Sequence, residues 1–171
     1  MATNDSLTID QIRTAPSDKA LFALLSTELE RRLPDRSDLD SFVQELQHLP
    51  RGLRAMAATY DLDVSMALDD LGWHFGNWHH KPLARETIAG LKELGAVRAA
   101  EIFEEAFRMA EHYWSQLGSE SWHVWYSDSD PDKALHSLNI EMWSICNRSS
   151  DWGLMSYWLE YARRYPERLV G

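Results

Sequence analysis

Residues 96–117 read A-V-R-A-A-E-I-F-E-E-A-F-R-M-A-E-H-Y-W-S-Q-L, and this stretch is the clearest indication of the fold class. At about 100° per residue, its main apolar side chains share one side of a helix, namely Phe103, Ala106, Phe107, Ala110, Trp114 and Leu117. Gly95 before the stretch and Gly118 after it are typical of helix ends. The pattern therefore predicts one long helix, around which we expect the rest of the chain to pack.

Further amphipathic segments with helix-start signals lie on both sides of this stretch. The predicted starts are at Ser17, Ser37, Pro50, Asp61 or Asp63, Pro82, Pro131 and Asp151. No stretch alternates apolar and polar residues for long enough to predict a strand, and no Gly/Ser-rich linker divides the chain. We expect a single all-α domain over residues 1–171, a helical bundle of about six to eight helices around a long central helix.

The composition excludes several classes of protein. With 17 basic and 27 acidic residues the net charge is −10, which disfavours direct binding to the phosphates of nucleic acid. Cys146 is the only cysteine, so the chain has neither an intrachain disulfide nor a thiolate metal cage. The first residues lack the pattern of a signal peptide, and no apolar run reaches the roughly 20 residues of a membrane span. We expect a cytoplasmic protein that does not contact membranes.

The excess negative charge is concentrated in the middle of the chain. Residues 1–60 carry a net charge of −2, residues 61–132 carry −9 and residues 133–171 carry +1. Clustered charge of one sign steers a partner of the opposite sign. The carboxylates that we expect to form a partner-binding acidic surface are Asp61, Asp63, Asp69, Asp70, Glu101, Glu104, Glu105 and Glu111. A solvated acidic face that only keeps the protein soluble is the alternative.

The most unusual segment is W-H-F-G-N-W-H-H at residues 73–80. Imidazole is a common metal ligand, but the spacing of these histidines matches no known site, so we predict no metal and no cofactor. Aromatic side chains that fill the core explain the segment, and a ligand pocket is the alternative. That pocket would comprise Trp73, His74, Asn77, Trp78 and His79, with His74 or His79 as a general base.

Three stretches resemble a known family. They are L-Q-H-L-P-R-G-L-R at residues 46–54, L-G-W-H-F-G-N at 71–77 and L-K-E-L-G-A-V-R-A-A-E-I-F-E-E-A at 91–106. Over roughly residues 40–145 the chain resembles a bacterial all-helical domain family of unknown function that includes a DNA-mimic protein from Neisseria. The resemblance implies an all-α fold. For the mimic it also implies a homodimer whose acidic side chains imitate DNA phosphates and bind a helix-turn-helix regulator.

We therefore predict a non-enzymatic acidic protein-interaction module, a DNA mimic that binds a basic DNA-binding regulator. An immunity protein that occludes the basic cleft of a toxin is an alternative from another class. An uncharacterised enzyme or ligand-binding protein that uses the pocket at residues 73–80 is a third. The helix strip from Glu101 to Glu111 carries too few charges over its length of about 15 Å to match duplex DNA, so mimicry requires carboxylates from other segments or a second subunit.

Overall fold

The computed structural model describes residues 6–117, 130–146 and 152–171, and these ranges are all-α. Their helices are α1 (Ile9–Thr14), α2 (Asp18–Arg32), α3 (Leu39–Leu46), α4 (Arg51–Leu68), α5 (Leu71–Asn77), α6 (Lys81–Glu93), α7 (Val97–Glu111), α8 (Trp114–Leu117), α9 (Asp130–Cys146) and α10 (Met155–Arg164), followed by a 3₁₀ turn (Pro166–Arg168). The described ranges contain no β-strand, so the all-α prediction is confirmed. None of the helices in them combines the length and apolar character that a membrane span requires.

Helix α4 occupies the centre of the bundle. It packs against α2, α3, α5, α6, α9 and α10, whereas α7 packs against α5, α6 and α9. The small side chains of Ala55, Ala57 and Ala58 are buried, and they let neighbouring helices approach α4 closely. The long central helix is therefore α4 and not the helix at residues 96–117 that the apolar pattern placed there.

The core lies on both sides of α4. On one side Leu62 and Met66 of α4 pack with Phe75 of α5 and Phe103 of α7. On the other side, the buried residues come from α1, α2, α3, α4, α6 and α10, with Phe42 and Trp158 as the largest fully buried side chains. Burial of large apolar side chains of this kind contributes about 1.5–3 kcal/mol each, so α4 is stabilised from two directions.

Some helices begin at other residues than the sequence predicted. The segments predicted to begin at Pro50 and at Asp61 or Asp63 form one helix, so both carboxylates lie in the middle of α4. The short helices α1, α5 and α8 bring the number in the described ranges to ten. Helix α1 begins at a capping box between Thr8 and Gln11. The predicted start at Asp151 and the predicted stop at Gly118 lie outside the described residues.

The helix predicted over residues 96–117 is interrupted near its end. Its first part, α7, ends at Glu111, where the N–H groups of His112 and Tyr113 donate to carbonyls three residues earlier. Such bonds tighten the last turn of a helix and change its direction. After this turn α8 begins at Trp114, whose ring stacks on that of His79 with centroids 4.6 Å apart.

Helices α4 and α6 approach each other closely at Gly90. A Cβ atom built on Gly90 would lie 2.8 Å from the carbonyl oxygen of Ala55 and 3.2 Å from its Cα. Close by, the hydroxyl of Thr87 donates to the carbonyl of Ala58 at 2.8 Å, which fixes the two helices side by side. Because the two Ala55 atoms facing Gly90 belong to backbone, they cannot move without shifting a whole helix.

We expect Gly90→Ala to destabilise the protein by about 1–3 kcal/mol, the usual cost of overpacking. In an ordinary helix the same substitution stabilises by about 0.5–1 kcal/mol, so the sign is diagnostic. Thermal unfolding followed by circular dichroism measures the effect, at about 2–4 °C per kcal/mol for a protein of this size. Ala89→Ser, at the exposed neighbouring position, is the control. A Gly90→Ala variant that melts above the wild type would contradict the close approach.

Candidate functional site

The four glutamates that the sequence placed on an acidic surface of α7 each face a cation. The ion pairs are Arg98–Glu101 at 3.0 Å, Lys92–Glu104 at 2.8 Å, Arg108–Glu105 at 3.8 Å and Lys81–Glu111 at 3.2 Å. We call these four glutamates the α7 strip. Arg98 also pairs with Glu141, so the α7 strip, its four cations and Glu141 together carry a net charge of only −1. The strip therefore produces little long-range attraction for a basic protein.

Three of the predicted surface carboxylates lie in the interior. Asp61 is 4% exposed and accepts a hydrogen bond from Nε of Arg36 at 2.7 Å. Asp70 is 5% exposed and caps α5 by accepting the N–H of Trp73. Asp63 is half-buried. Of the four predicted surface aspartates, only Asp69 is exposed. Asp61, Asp63 and Asp70 therefore do not belong to an acidic surface, because α4 and the start of α5 turn them toward neighbouring helices.

Asp63 caps a helix that is distant in sequence. Its carboxylate accepts the N–H of Leu154 at 2.6 Å, at the N-terminus of α10, and bonding to the N–H of Met155 also favours the ionised form. A carboxylate at this end of a helix satisfies N–H groups that have no partner within the helix. Burial nevertheless outweighs these bonds and raises the pKa of Asp63 to about 6.

Two buried carboxylates take up three arginines. Glu28, 4% exposed, pairs with Arg31 at 2.8 Å and with Arg32 at 2.6 Å, while Asp61 pairs with Arg36. Burial disfavours the charge on Glu28, but hydrogen bonds from the two arginines lower its pKa below the ordinary value. A buried carboxylate needs such partners, so these arginines are not available to carboxylates on the surface.

Five exposed carboxylates are left nearby without an arginine or lysine partner among the described residues. They are Glu30, Asp35, Asp38, Asp40 and Glu45, and we call them the acidic face. Only Asp40, whose side chain is 84% exposed, contacts a basic group, the Nε2 atom of His80 at 2.9 Å. A histidine compensates a carboxylate only when it is protonated. The acidic face is therefore a segment of the chain where several negative charges are left uncompensated; Asp10, Asp69, Glu160 and Glu167 are further exposed carboxylates without an ion pair in the described ranges.

Local hydrogen bonds keep part of the acidic face ionised and ordered. Asp38 caps α3, accepting the hydroxyl of Ser41 at 2.6 Å and its N–H at 3.1 Å. These bonds lower the pKa of Asp38, and bonds from the hydroxyl and N–H of Ser37 lower that of Asp35. Glu45 lies seven residues after Asp38, so the two side chains share one side of α3.

The sequence analysis missed the acidic face because net charge was counted by segment. The net charge of residues 1–60 is only −2, because the basic residues of this segment nearly equal its acidic residues in number. The ion pairs of Glu28 could be predicted from the sequence. Glu28 lies three residues before Arg31 and four before Arg32, which is the spacing of neighbouring side chains on a helix. The pairing of Arg36 with Asp61 depends on how α4 packs, and no local pattern indicates it.

Residues 73–80 line none of the three cavities between α2 and α4, between α4 and α6, and between α6 and α10. His74 is 3% exposed, its Nδ1 atom lies 2.8 Å from the hydroxyl oxygen of Ser65, and its ring touches that of Phe103. Burial lowers the pKa of His74 to about 3. Because His74 is almost completely shielded from solvent, it is not positioned as a general base.

The other residues of that predicted pocket have structural contacts. Asn77 is exposed and donates to the carbonyl of Trp73 at 2.8 Å, which closes the end of α5. His79 contacts the ring and the carbonyl of Trp114, and Trp78 packs against the core on the α3 side. No group of three or more His, Cys, Asp or Glu side chains in the described ranges is arranged to hold a metal ion.

The described residues form an all-α protein with a group of exposed carboxylates that have no arginine or lysine partner. Residues 47–164 match the DMP19-like protein family. The match covers more than half of the 171 residues, so the chain belongs to this family, and the resemblance seen in the sequence is confirmed. No curated protein and no solved structure matches the chain. The acidic face precedes the matched region, whereas the α7 strip lies within it.

We expect the stability of the protein to depend on pH through Asp63. Its pKa is about 6 in the folded state and near the ordinary value of 3.8 when unfolded, so the folded state binds this proton more tightly. Ionisation of Asp63 therefore removes stability as the pH rises from about 4 to 6. Asp63→Asn keeps an oxygen that can accept the N–H of Leu154 but cannot ionise.

The free energy of unfolding of Asp63→Asn, relative to wild type, should increase over this pH range. Urea unfolding at several pH values measures it, and taking the difference cancels the titration of the other carboxylates. Asp10→Asn, which changes an exposed carboxylate on α1, is the matched control. If the difference in unfolding free energy between Asp63→Asn and wild type stays constant with pH, burial does not raise the pKa of Asp63.

Proposed function

We propose that this protein is a non-enzymatic interaction module that binds a basic protein through its acidic face. In this proposal the partner is a DNA-binding regulator, and the carboxylates stand in for DNA phosphates. The observation that carries the proposal is the set of five exposed carboxylates with no lysine or arginine partner in the described ranges. Membership of the DMP19-like family supports the DNA-mimic class, since the resemblance in the sequence is to the family of a DNA mimic.

The spacing of charge on α3 suits this role. Asp38 and Glu45 are seven residues apart, which is about 10 Å along a helix axis, and Asp40 lies between them. One strand of DNA carries a phosphate every 3.4 Å of axis, or about three over the same length. Asp38 and Glu45 share one side of α3 and supply two of these charges, whereas Asp40 lies about 200° round the helix from Asp38. Asp35 and Glu30 add carboxylates toward α2.

The α7 strip has a secondary role in this proposal. Each of its glutamates already has a basic partner, and exposed pairs of this kind contribute only about 0.2–1 kcal/mol. A partner's arginine can replace the internal cation, but the exchange gains little because one ion pair substitutes for another. Asp69 remains exposed and adds one further carboxylate.

The alternatives receive less support. An immunity protein would use the same acidic face against a toxin, and the family match does not favour that class. An enzyme that uses His74 as a base would need access to a side chain that is 3% exposed. The homodimer that the family resemblance implies stays a prediction, and sedimentation equilibrium measures it directly.

Two matched triple variants test the proposal. Asp38→Asn, Asp40→Asn and Glu45→Gln neutralise the acidic face, and asparagine at position 38 preserves the helix cap. Glu101→Gln, Glu104→Gln and Glu105→Gln remove the same charge from the α7 strip. The assay is release of a basic helix-turn-helix regulator from its labelled DNA duplex, using regulators encoded in the same genome.

We expect the wild type to compete with DNA and its affinity to fall steeply as salt increases, because charge pairs supply the attraction. The acidic-face variant should bind about tenfold or more weakly, whereas the α7 variant should stay within about twofold of wild type. Equal losses in both variants, or a loss in the α7 variant alone, would contradict the assignment of the acidic face. Binding that salt does not weaken would contradict the whole proposal.

A further inference from the structure

A cavity with an aromatic lining forms a groove beside Glu30 and Asp35. It lies between α2, α4 and α10 and has a volume of about 500 Å³, within the roughly 300–1,000 Å³ of known ligand pockets. Its aromatic lining comes from Phe22, Tyr60 and Trp158, and Leu29 and Leu33 add aliphatic surface. The groove therefore offers apolar area that a ligand or partner side chain could bury.

Contacts within the protein hold the aromatic lining of the groove in place. Trp158 is 1% exposed overall and donates from Nε1 to the hydroxyl of Thr59 at 2.9 Å. Its ring packs against Phe22 at 6.1 Å and Tyr60 at 6.2 Å between centroids. The guanidinium of Arg36 lies 5.0 Å from the centroid of Tyr60, held there by Asp61. A site of this kind binds with little loss of conformational entropy.

The rim of the groove is negatively charged. Glu30 and Asp35, two of the five carboxylates of the acidic face, line the groove. Arg36, the basic residue at the groove, is already neutralised by Asp61. An occupant should accordingly combine an apolar group for the aromatic floor with positive charge for the rim.

We propose that the groove receives an apolar side chain from a basic segment of the protein partner, with lysines or arginines beside it facing Glu30 and Asp35. This inference rests on the proposed function and adds to it the sequence chemistry of the partner. Charge selects the segment, and burial of the apolar side chain anchors it. A partner segment with an aliphatic or aromatic residue between basic residues therefore binds better than a purely basic one.

Two dye-labelled peptides test the groove without a known partner. One is a short lysine-rich peptide with two central leucines, and the other carries serines in place of the leucines. Ser26→Trp fills the groove, since Ser26 lines it, while Thr27→Trp adds the same side chain at the exposed neighbouring position. Fluorescence anisotropy measures binding, and circular dichroism shows that each variant is folded.

We expect the wild type to bind the leucine peptide about tenfold more tightly than the serine peptide, from burial of one or two leucines. Ser26→Trp should abolish this preference and leave affinity for the serine peptide unchanged, and Thr27→Trp should keep the preference. Equal affinity for both peptides in the wild type, or a preference that survives Ser26→Trp, would overturn the inference. So would tight binding of octylammonium without leucine preference, which would indicate a small-molecule site.

Self-association that Ser26→Trp abolishes would also overturn it, by assigning the groove to a second copy of the chain. The two proposals fail in different ways. If the regulator is lost only when the acidic face is neutralised, and Ser26→Trp binds it as wild type does, the proposed function stands without the groove. If neutralising the acidic face has no effect on the regulator, the proposed function fails even where the groove prefers leucine.

Discussion

Helix α4 carries Asp61 and Asp63 into the interior of the bundle, and the surrounding structure has to satisfy both carboxylates. An ionised carboxylate that leaves water without a partner is strongly unfavourable. Asp61 is paired with Arg36, which draws the connection between α2 and α3 toward α4. Asp63 binds the N-terminus of α10, which fixes the last helix against the same central element. The positions of α3 and α10 thus depend on two acidic residues of one buried helix.

The same requirement shapes the surface. Glu28 and Asp61 occupy Arg31, Arg32 and Arg36. Among the described residues the exposed carboxylates around α3 have no arginine or lysine partner, and Asp40 pairs with His80. On α7 the opposite holds, because lysines and arginines of α6 and α7 sit beside each glutamate. The location of uncompensated charge is therefore decided by which acids are buried and not by where acids are most frequent in the sequence.

Much of the fold could be predicted from local signals. Apolar spacing and capping residues correctly placed α2, α3, α6 and most of α7, since these depend on interactions within a few residues of each other. The continuity of α4 could not be predicted, because Asp61 and Asp63 are typical helix-start residues and only packing shows that they lie inside a helix. The prediction of the acidic surface was wrong for the same reason, because the sequence does not show that Asp61 and Asp63 are turned into the interior. The ion pair of Arg36 with Asp61 joins residues 25 positions apart, and no periodic pattern in the sequence indicates it.

Family membership and the acidic face support the function from different parts of the chain. The match to the DMP19-like family begins at residue 47, whereas the acidic face lies at residues 30–45. The family thus suggests the class of activity, and the uncompensated carboxylates suggest where on this chain a basic partner binds. The aromatic groove joins the two arguments, because it is built by α2 and by the helices α4 and α10 of the matched region.

The central claim is that negative potential is highest at the acidic face and low along the α7 strip. Paramagnetic relaxation of backbone amides by a cationic nitroxide, divided by that from a neutral one, measures the local potential directly. The account predicts a clearly larger ratio for residues 35–45 than for residues 101–111, with the difference shrinking as salt is added. Equal ratios in the two segments, or a larger one along α7, would contradict it.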